Sequence, residues 1–203
     1  MIKFACFSPH PPLLLPDVGS EKDKGEVKKT IESLEKLGEK IRDINPDCLI
    51  ISSPHPDWGF NVPLYFLAKD FKGKIRTYLM GSKPPVFYFE EGTKFPMPNS
   101  KTALIASGDL SHYLKEDGPY GFNPDGPKFD KKLIELLRKK DIDTILKLDD
   151  KYPGAGECGL RSFCFLLGVL EAHSASSGQA WQAEILSYEA PFGVGYLVVN
   201  FKL

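Results

Sequence analysis

Three histidines stand in settings that stiffen the backbone around them. His10 lies in Ser8-Pro9-His10-Pro11 and His55 in Ser53-Pro54-His55-Pro56. Proline on both sides fixes two φ angles, removes two backbone donors and holds each preceding residue extended. Two neutral imidazoles delivered to one place on such rigid chain would bind a divalent metal. The third, His112, closes Ala106-Ser107-Gly108-Asp109-Leu110-Ser111-His112. Gly108 permits a sharp turn, and Asp109 and Ser111 could fix the ring's tautomer. Imidazole titrates near neutrality, so His112 is a candidate acid and base. His173, among serines and alanines, reads as a surface residue.

A metal held by two histidines needs a third, preferably anionic, ligand. The segment Gly154-Ala155-Gly156-Glu157-Cys158-Gly159-Leu160-Arg161 is the outstanding source. Glu157 and Cys158 open a very apolar stretch, and a charge there must reach solvent or find a partner. Glu157 is the expected ligand; an interaction with a helix N-terminus would satisfy it equally, without metal. Arg161 could anchor an anionic substrate group or a neighbouring carboxylate. Asp109, Ser111 and Arg161 form the candidate substrate-binding set. Cys6, Cys48 and Cys164 read as buried small hydrophobes.

Both Pro-His-Pro turns follow short apolar runs, Ile2–Phe7 and Cys48–Ser52, which read as buried strands. Between them Val27, Ile31, Leu34, Leu37, Ile41 and Ile44 recur at spacings of three and four, an amphipathic helix over Glu26–Ile44. Strand, helix and strand make a βαβ unit with parallel pairing. Lys74–Met80 and Thr102–Ala106 read as further strands, the second leading into Ser107 and His112. Residues 81–100 look irregular, and 117–127 form a loop. Phe129–Lys139 and Asp141–Leu148 read as helices, Cys158–Ala172 as a buried helix, and Ala183–Tyr188 and Gly193–Phe201 as strands. The expectation is one α/β domain over 1–203, with a central mostly parallel sheet flanked by helices. The histidines then gather at the carboxyl rim, where such sheets bind ligands.

The 203 residues suit one domain, and 42% hydrophobic content supplies a core. A formal charge of −1 gives no electrostatic case for nucleic acid. No apolar run is long enough for a bilayer, and no secretory leader opens the chain, so a cytoplasmic location is expected.

These motifs together resemble the class III extradiol ring-cleaving dioxygenases, the family of the protocatechuate 4,5-dioxygenase β subunit, and most nearly its Memo-like branch. The resemblance rests on Ser8–Pro11, Ser53–His55, Ser107–His112 and Gly156–Arg161, in the family's order, and on the closing Tyr188–Tyr196. It implies a mononuclear non-haem Fe(II) held by His10, His55 and a carboxylate, Glu157, with His112 as acid–base beside it. The implied substrates are a catechol-type ring and O2, and a homodimer is the implied assembly. One departure concerns the third ligand. The family's acid directly precedes a glycine, whereas here Cys158 does, as in the Memo-like branch. Cys158 is therefore the alternative ligand, and a softer donor set would favour copper or zinc. Glu157 is preferred, because oxygen activation at iron uses a carboxylate. Two other functions stay open: a Memo-like metal-binding or redox-regulatory protein without ring cleavage, and a zinc hydrolase. The aromatic residues Trp58, Phe60, Tyr113, Tyr120 and Phe122 either line an apolar pocket or, as preferred, pack their own loops.

Overall fold

The computed structural model describes all 203 residues as one α/β sandwich. Six strands form the sheet: β1 (Ile2–Ser8), β2 (Cys48–Ser53), β3 (Lys74–Leu79), β4 (Thr102–Ser107), β5 (Gln182–Glu189) and β6 (Tyr196–Lys202). Their order is β3-β2-β4-β1-β6-β5. β3, β2, β4 and β1 run parallel, and β6 and β5 close the other edge antiparallel. Alternate residues of the central strands serve two separate cores. Ala5, Phe7, Ile50, Leu104 and Ala106 face one side; Phe4, Cys6, Leu49, Ile51, Ala103 and Ile105 face the other. That explains why these strands read as unbroken apolar runs.

Eight helices cover the faces: α1 (Glu21–Glu26), α2 (Lys28–Ile44), α3 (Trp58–Leu67), α4 (Pro85–Thr93), α5 (Asp125–Lys139), α6 (Ile142–Ile145), α7 (Leu148–Lys151) and α8 (Leu160–Ser177). The helix expected over Glu26–Ile44 begins at Lys28, and a separate short helix, α1, precedes it, with Ser20 and Asp23 forming a capping box on it. Residues of α2 and α3 build one core; those of α5 and α8 build the other. β1→β2 and β2→β3 move one way along the sheet and β3→β4 moves back. Right-handed crossovers therefore put α2 and α3 on one face and α4 on the other.

Two longer helices also escaped the sequence reading. α3 contains Pro63, and α4 is rich in aromatic residues and falls inside the stretch expected to be irregular. Packing outweighs propensity in α4. A Cβ on Gly92 would sit 2.2 Å from the Phe165 carbonyl of α8, and one on Gly168 would sit 2.1 Å from that of Phe89. The two helices thus touch backbone to backbone. α8 begins at Leu160, so Glu157 and Cys158 precede it rather than open it. The C-terminal strands form a hairpin. No helix is long and apolar enough to cross a membrane.

Candidate metal centre

β1 and β2 are not neighbours; β4 lies between them and pairs with both. The chain leaves β1 toward α2 and leaves β4 toward α5, on opposite faces of the sheet. A crevice opens where the two exits diverge. Each central strand ends in a buried serine, Ser8, Ser53 or Ser107, and a histidine follows each. His10 and His55 lean over the end of β4, with ring centroids 5.2 Å apart at 75°.

The ring of His10 is buried, and its tautomer follows from its partners. Ser107 Oγ has one hydrogen and donates it to the Gly59 carbonyl at 2.5 Å. Toward His10 Nδ1, at 2.9 Å, it can only accept. Nδ1 therefore carries the proton, and the Nε2 lone pair faces the crevice, as a metal-binding imidazole requires. Burial, reinforced by His55 and His112, pulls the His10 pKa down to about 3. The ring is neutral, and the 3.8 Å approach of Asp109 Oδ2 to Nε2 is not an ion pair. Asp109 Oδ1 instead accepts the His10 peptide N–H at 3.0 Å. Burial pushes the Asp109 carboxyl up to about 6, against that bond.

Cys158 is the third group at this point. The donor atoms of His10, His55 and Cys158 all lie within 4.8 Å of one another. Sγ is 3.5 Å from His10 Nε2. Zinc-type bonds of about 2.05 Å to nitrogen and 2.3 Å to sulfur, opened to a tetrahedral angle, would hold those atoms about 3.6 Å apart. The residues therefore fit a resident metal ion. Neighbouring backbone aims the thiol: the Asp109 N–H donates to Sγ at 3.3 Å, and Gly159 N–H donates to the Asp109 carbonyl at 3.0 Å. A Cβ on Gly108 would lie 2.1 Å from Gly159 Cα, so glycines alone allow the two segments to meet. Without a cation, burial and the Asp109 carboxylate hold the Cys158 thiol well above its ordinary pKa.

Glu157, the expected ligand, lies outside this cluster. Its Oε2 accepts the Leu160 N–H at the start of α8 at 2.6 Å, and its Oε1 takes Arg161 at 3.3 Å. This is the helix-terminus role that the sequence left open. Burial still pushes its carboxyl up to about 7, despite both partners. Arg161 is likewise engaged, with Glu157, with Asp149 at 3.8 Å and with the Lys83 carbonyl at 2.9 Å. It pairs with carboxylates of the chain and does not line the crevice. Ser111 is fully buried. Its hydroxyl donates to the Ala155 carbonyl, and its N–H donates to Asp130 Oδ1. Of the three candidate substrate-binding residues, only Asp109 lines the crevice.

His112 does line it. Its Nδ1 is 2.7 Å from the Gly156 carbonyl, which can only accept. Nε2 of the neutral ring is therefore free to take a proton. Asp109, His112 and Cys158 form a second close group that shares the thiol. His173, far along α8, is half-buried rather than on the surface.

The crevice holds about 630 Å³. Trp58, Tyr113 and Tyr120 line it, contrary to the packing role preferred for them; Phe60 packs against a core, and Phe122 is exposed. Phe192, Val194 and Tyr196 complete the wall and were missed. Their period-two spacing before and into β6 was the available signal.

The uncharacterized protein JW3007 from Escherichia coli K12, known from a crystal structure, superposes with a TM-score of 0.65 over 97% of this chain and 98% of its own. Identity is 16%, so that likeness concerns the fold alone. Protein CA_C1420 of Clostridium acetobutylicum is 31% identical over 269 aligned positions, covering 96% of this chain. The chain spans 56% of that relative's length. The family model described as the catalytic LigB subunit of aromatic ring-opening dioxygenase matches residues 55–199, a stretch carrying His55, His112 and Cys158. By that match, the chain belongs to the LigB family of aromatic ring-opening dioxygenase subunits.

Proposed function

We propose that this chain is a metal-dependent oxidoreductase that opens catechol-type rings with O2, with His10, His55 and Cys158 as metal ligands. The convergence of His10 Nε2 and Cys158 Sγ at 3.5 Å, beside His55, carries the reading. Family membership supports it. Iron is the first choice of metal; held by these residues it would supply the redox chemistry with O2.

The chain's own residues have separate tasks. His112 Nε2 takes a hydroxyl proton from the diol, while the Gly156 carbonyl holds Nδ1–H and so fixes which nitrogen acts. Asp109 holds the His10 turn through its carboxylate and aims Cys158 through its peptide. Trp58 and Tyr113 offer aromatic walls for a planar ring.

Cys158 in place of a carboxylate supports a second reading. Two imidazoles and a thiolate are a softer set that suits copper or zinc, and a Memo-like redox or metal-binding protein would need no ring cleavage. Four unpaired cysteines, three of them buried, agree with the proposed cytoplasmic location.

Anaerobic purification followed by metal analysis and oxygen uptake on catechol separates the readings. Iron with uptake, abolished in His112→Ala while the metal stays, is the expected result. Copper without uptake would favour the second reading. Zinc with ester hydrolysis would point to a hydrolase and overturn both.

A further inference from the structure

The wall around the three donors is half hydrophobic side chains and contains no lysine or arginine; its one carboxylate is Asp109 and its only nitrogen bases are histidines. Arg161, the cation nearest the motif in sequence, is held by Glu157, Asp149 and the Lys83 carbonyl. Lys115, in the loop that supplies Tyr113 and Tyr120, pairs with Asp117. A carboxylate entering this crevice would lose its hydration and gain no fixed side-chain cation in return.

The size of the crevice points the same way. Its 630 Å³ falls in the range of drug-sized ligand sites and exceeds the needs of a single ring. Two large aromatics that line it are also partly exposed. Trp58 lies 5.3 Å from the His55 ring and is 44% exposed; Tyr120 lies 5.1 Å from the His112 ring and is 56% exposed. Pro11, Pro12 and Leu13 add an apolar side. Surface of this kind is covered most favourably by an apolar group.

We propose that the ring taken by this site is uncharged and bears an apolar substituent the size of a second ring, seated against Trp58 and Tyr120, and that carboxylated rings are excluded. This rests on the catechol reading above and narrows it.

The test is calorimetric titration of iron-loaded and chelator-treated protein. The probes are 4-phenylcatechol, protocatechuate, 4-phenylphenol and 4-hydroxybenzoate. The phenyl compounds should bind about tenfold tighter than the carboxylates, equivalent to about 1.4 kcal/mol. Trp58→Ala and Tyr120→Ala should each shrink that preference severalfold; both side chains are exposed, and circular dichroism confirms folding. Carboxylates that bind as tightly as the phenyl compounds in chelator-treated protein would overturn the proposal. So would a preference unchanged in both variants, or no binding of any probe. Failure of the metal reading shows separately, as equal 4-phenylcatechol affinity with and without iron, while the 4-phenylphenol to 4-hydroxybenzoate ratio still judges the pocket.

Discussion

The histidine turns and the Gly154–Arg161 segment deliver side chains to the same crevice by opposite means. In Ser8–Pro11 and Ser53–Pro56 the prolines stiffen the chain locally, and each turn directly follows a buried strand. Direction is set by the residues of the turn and the strand end. In Gly154–Arg161 the glycines leave direction open. Gly156 adopts a φ of 61°, and Gly159 lies against Gly108. The thiol's direction is decided by distant chain, since the Asp109 peptide takes it, while the carboxylate is drawn aside locally by Leu160 and Arg161, three and four residues on. Rigid local geometry can be read from sequence, whereas direction imposed by partners elsewhere in the chain cannot.

The sharpest way to break this contrast is at the rigid turns. His10→Ala and His55→Ala should each weaken metal binding by about 100-fold or more, beyond the 10–100-fold typical of an outer partner. Metal content after dialysis measures it, and a variant that keeps its metal would remove that turn from the centre.

The flexible segment gives the next effect, and it should divide the two neighbours. Cys158→Ser should lose metal. Glu157→Gln should keep it and cost at most about 1 kcal/mol in urea unfolding, because the amide oxygen still accepts the Leu160 N–H and burial already offsets much of the Arg161 pair. Reversed outcomes would restore the carboxylate as ligand.

Gly108→Ala tests whether distant packing aims the thiol. Its Cβ would meet Gly159 Cα at 2.1 Å, backbone against backbone. The expected cost is about 2–3 kcal/mol, with reduced metal affinity in the same variant. Full stability and full metal content would show that the Gly108–Gly159 contact is not needed.

The last effect shows only as a dependence on pH and concerns the buried carboxylate behind the His112 loop. Asp130 accepts the Ser111 N–H at 2.9 Å and the Tyr188 hydroxyl at 2.6 Å, and burial pushes its pKa up to about 7. Between the unfolded value near 3.8 and about 7, the folded chain keeps a proton that the unfolded chain has released. Its contribution to stability therefore falls as pH rises through that window, by at most about 1.4 kcal/mol per pH unit, and is flat above it. His10, held at about 3, works the other way and loses stability as pH falls below 6.5, but it is common to both proteins compared. The stability difference between wild type and Asp130→Asn should vary with pH below about 7 and be constant above it. A difference independent of pH from 4 to 8 would contradict this.

Much of the architecture was legible because the central strands are apolar on both faces and end at Pro or Gly. The strand order was less so. A βαβ reading sets β1 beside β2, yet β4 comes between them, since later chain supplies the strand that fits there. α4 was illegible because its helical state depends on Gly92 and Gly168 in contact with distant backbone. At the site, the sequence picked out His10, His55, His112 and Asp109, all of which line the crevice. The inward role of Cys158 and the structural duty of Ser111 depend on partners between 19 and 49 positions away.

X-ray absorption at the edge of the metal retained after anaerobic purification tests the centre most directly. Two imidazole nitrogens and one sulfur at about 2.3 Å, with the sulfur lost in Cys158→Ser, is the predicted result. A shell of nitrogen and oxygen alone, identical in Cys158→Ser and altered in Glu157→Gln, would contradict it.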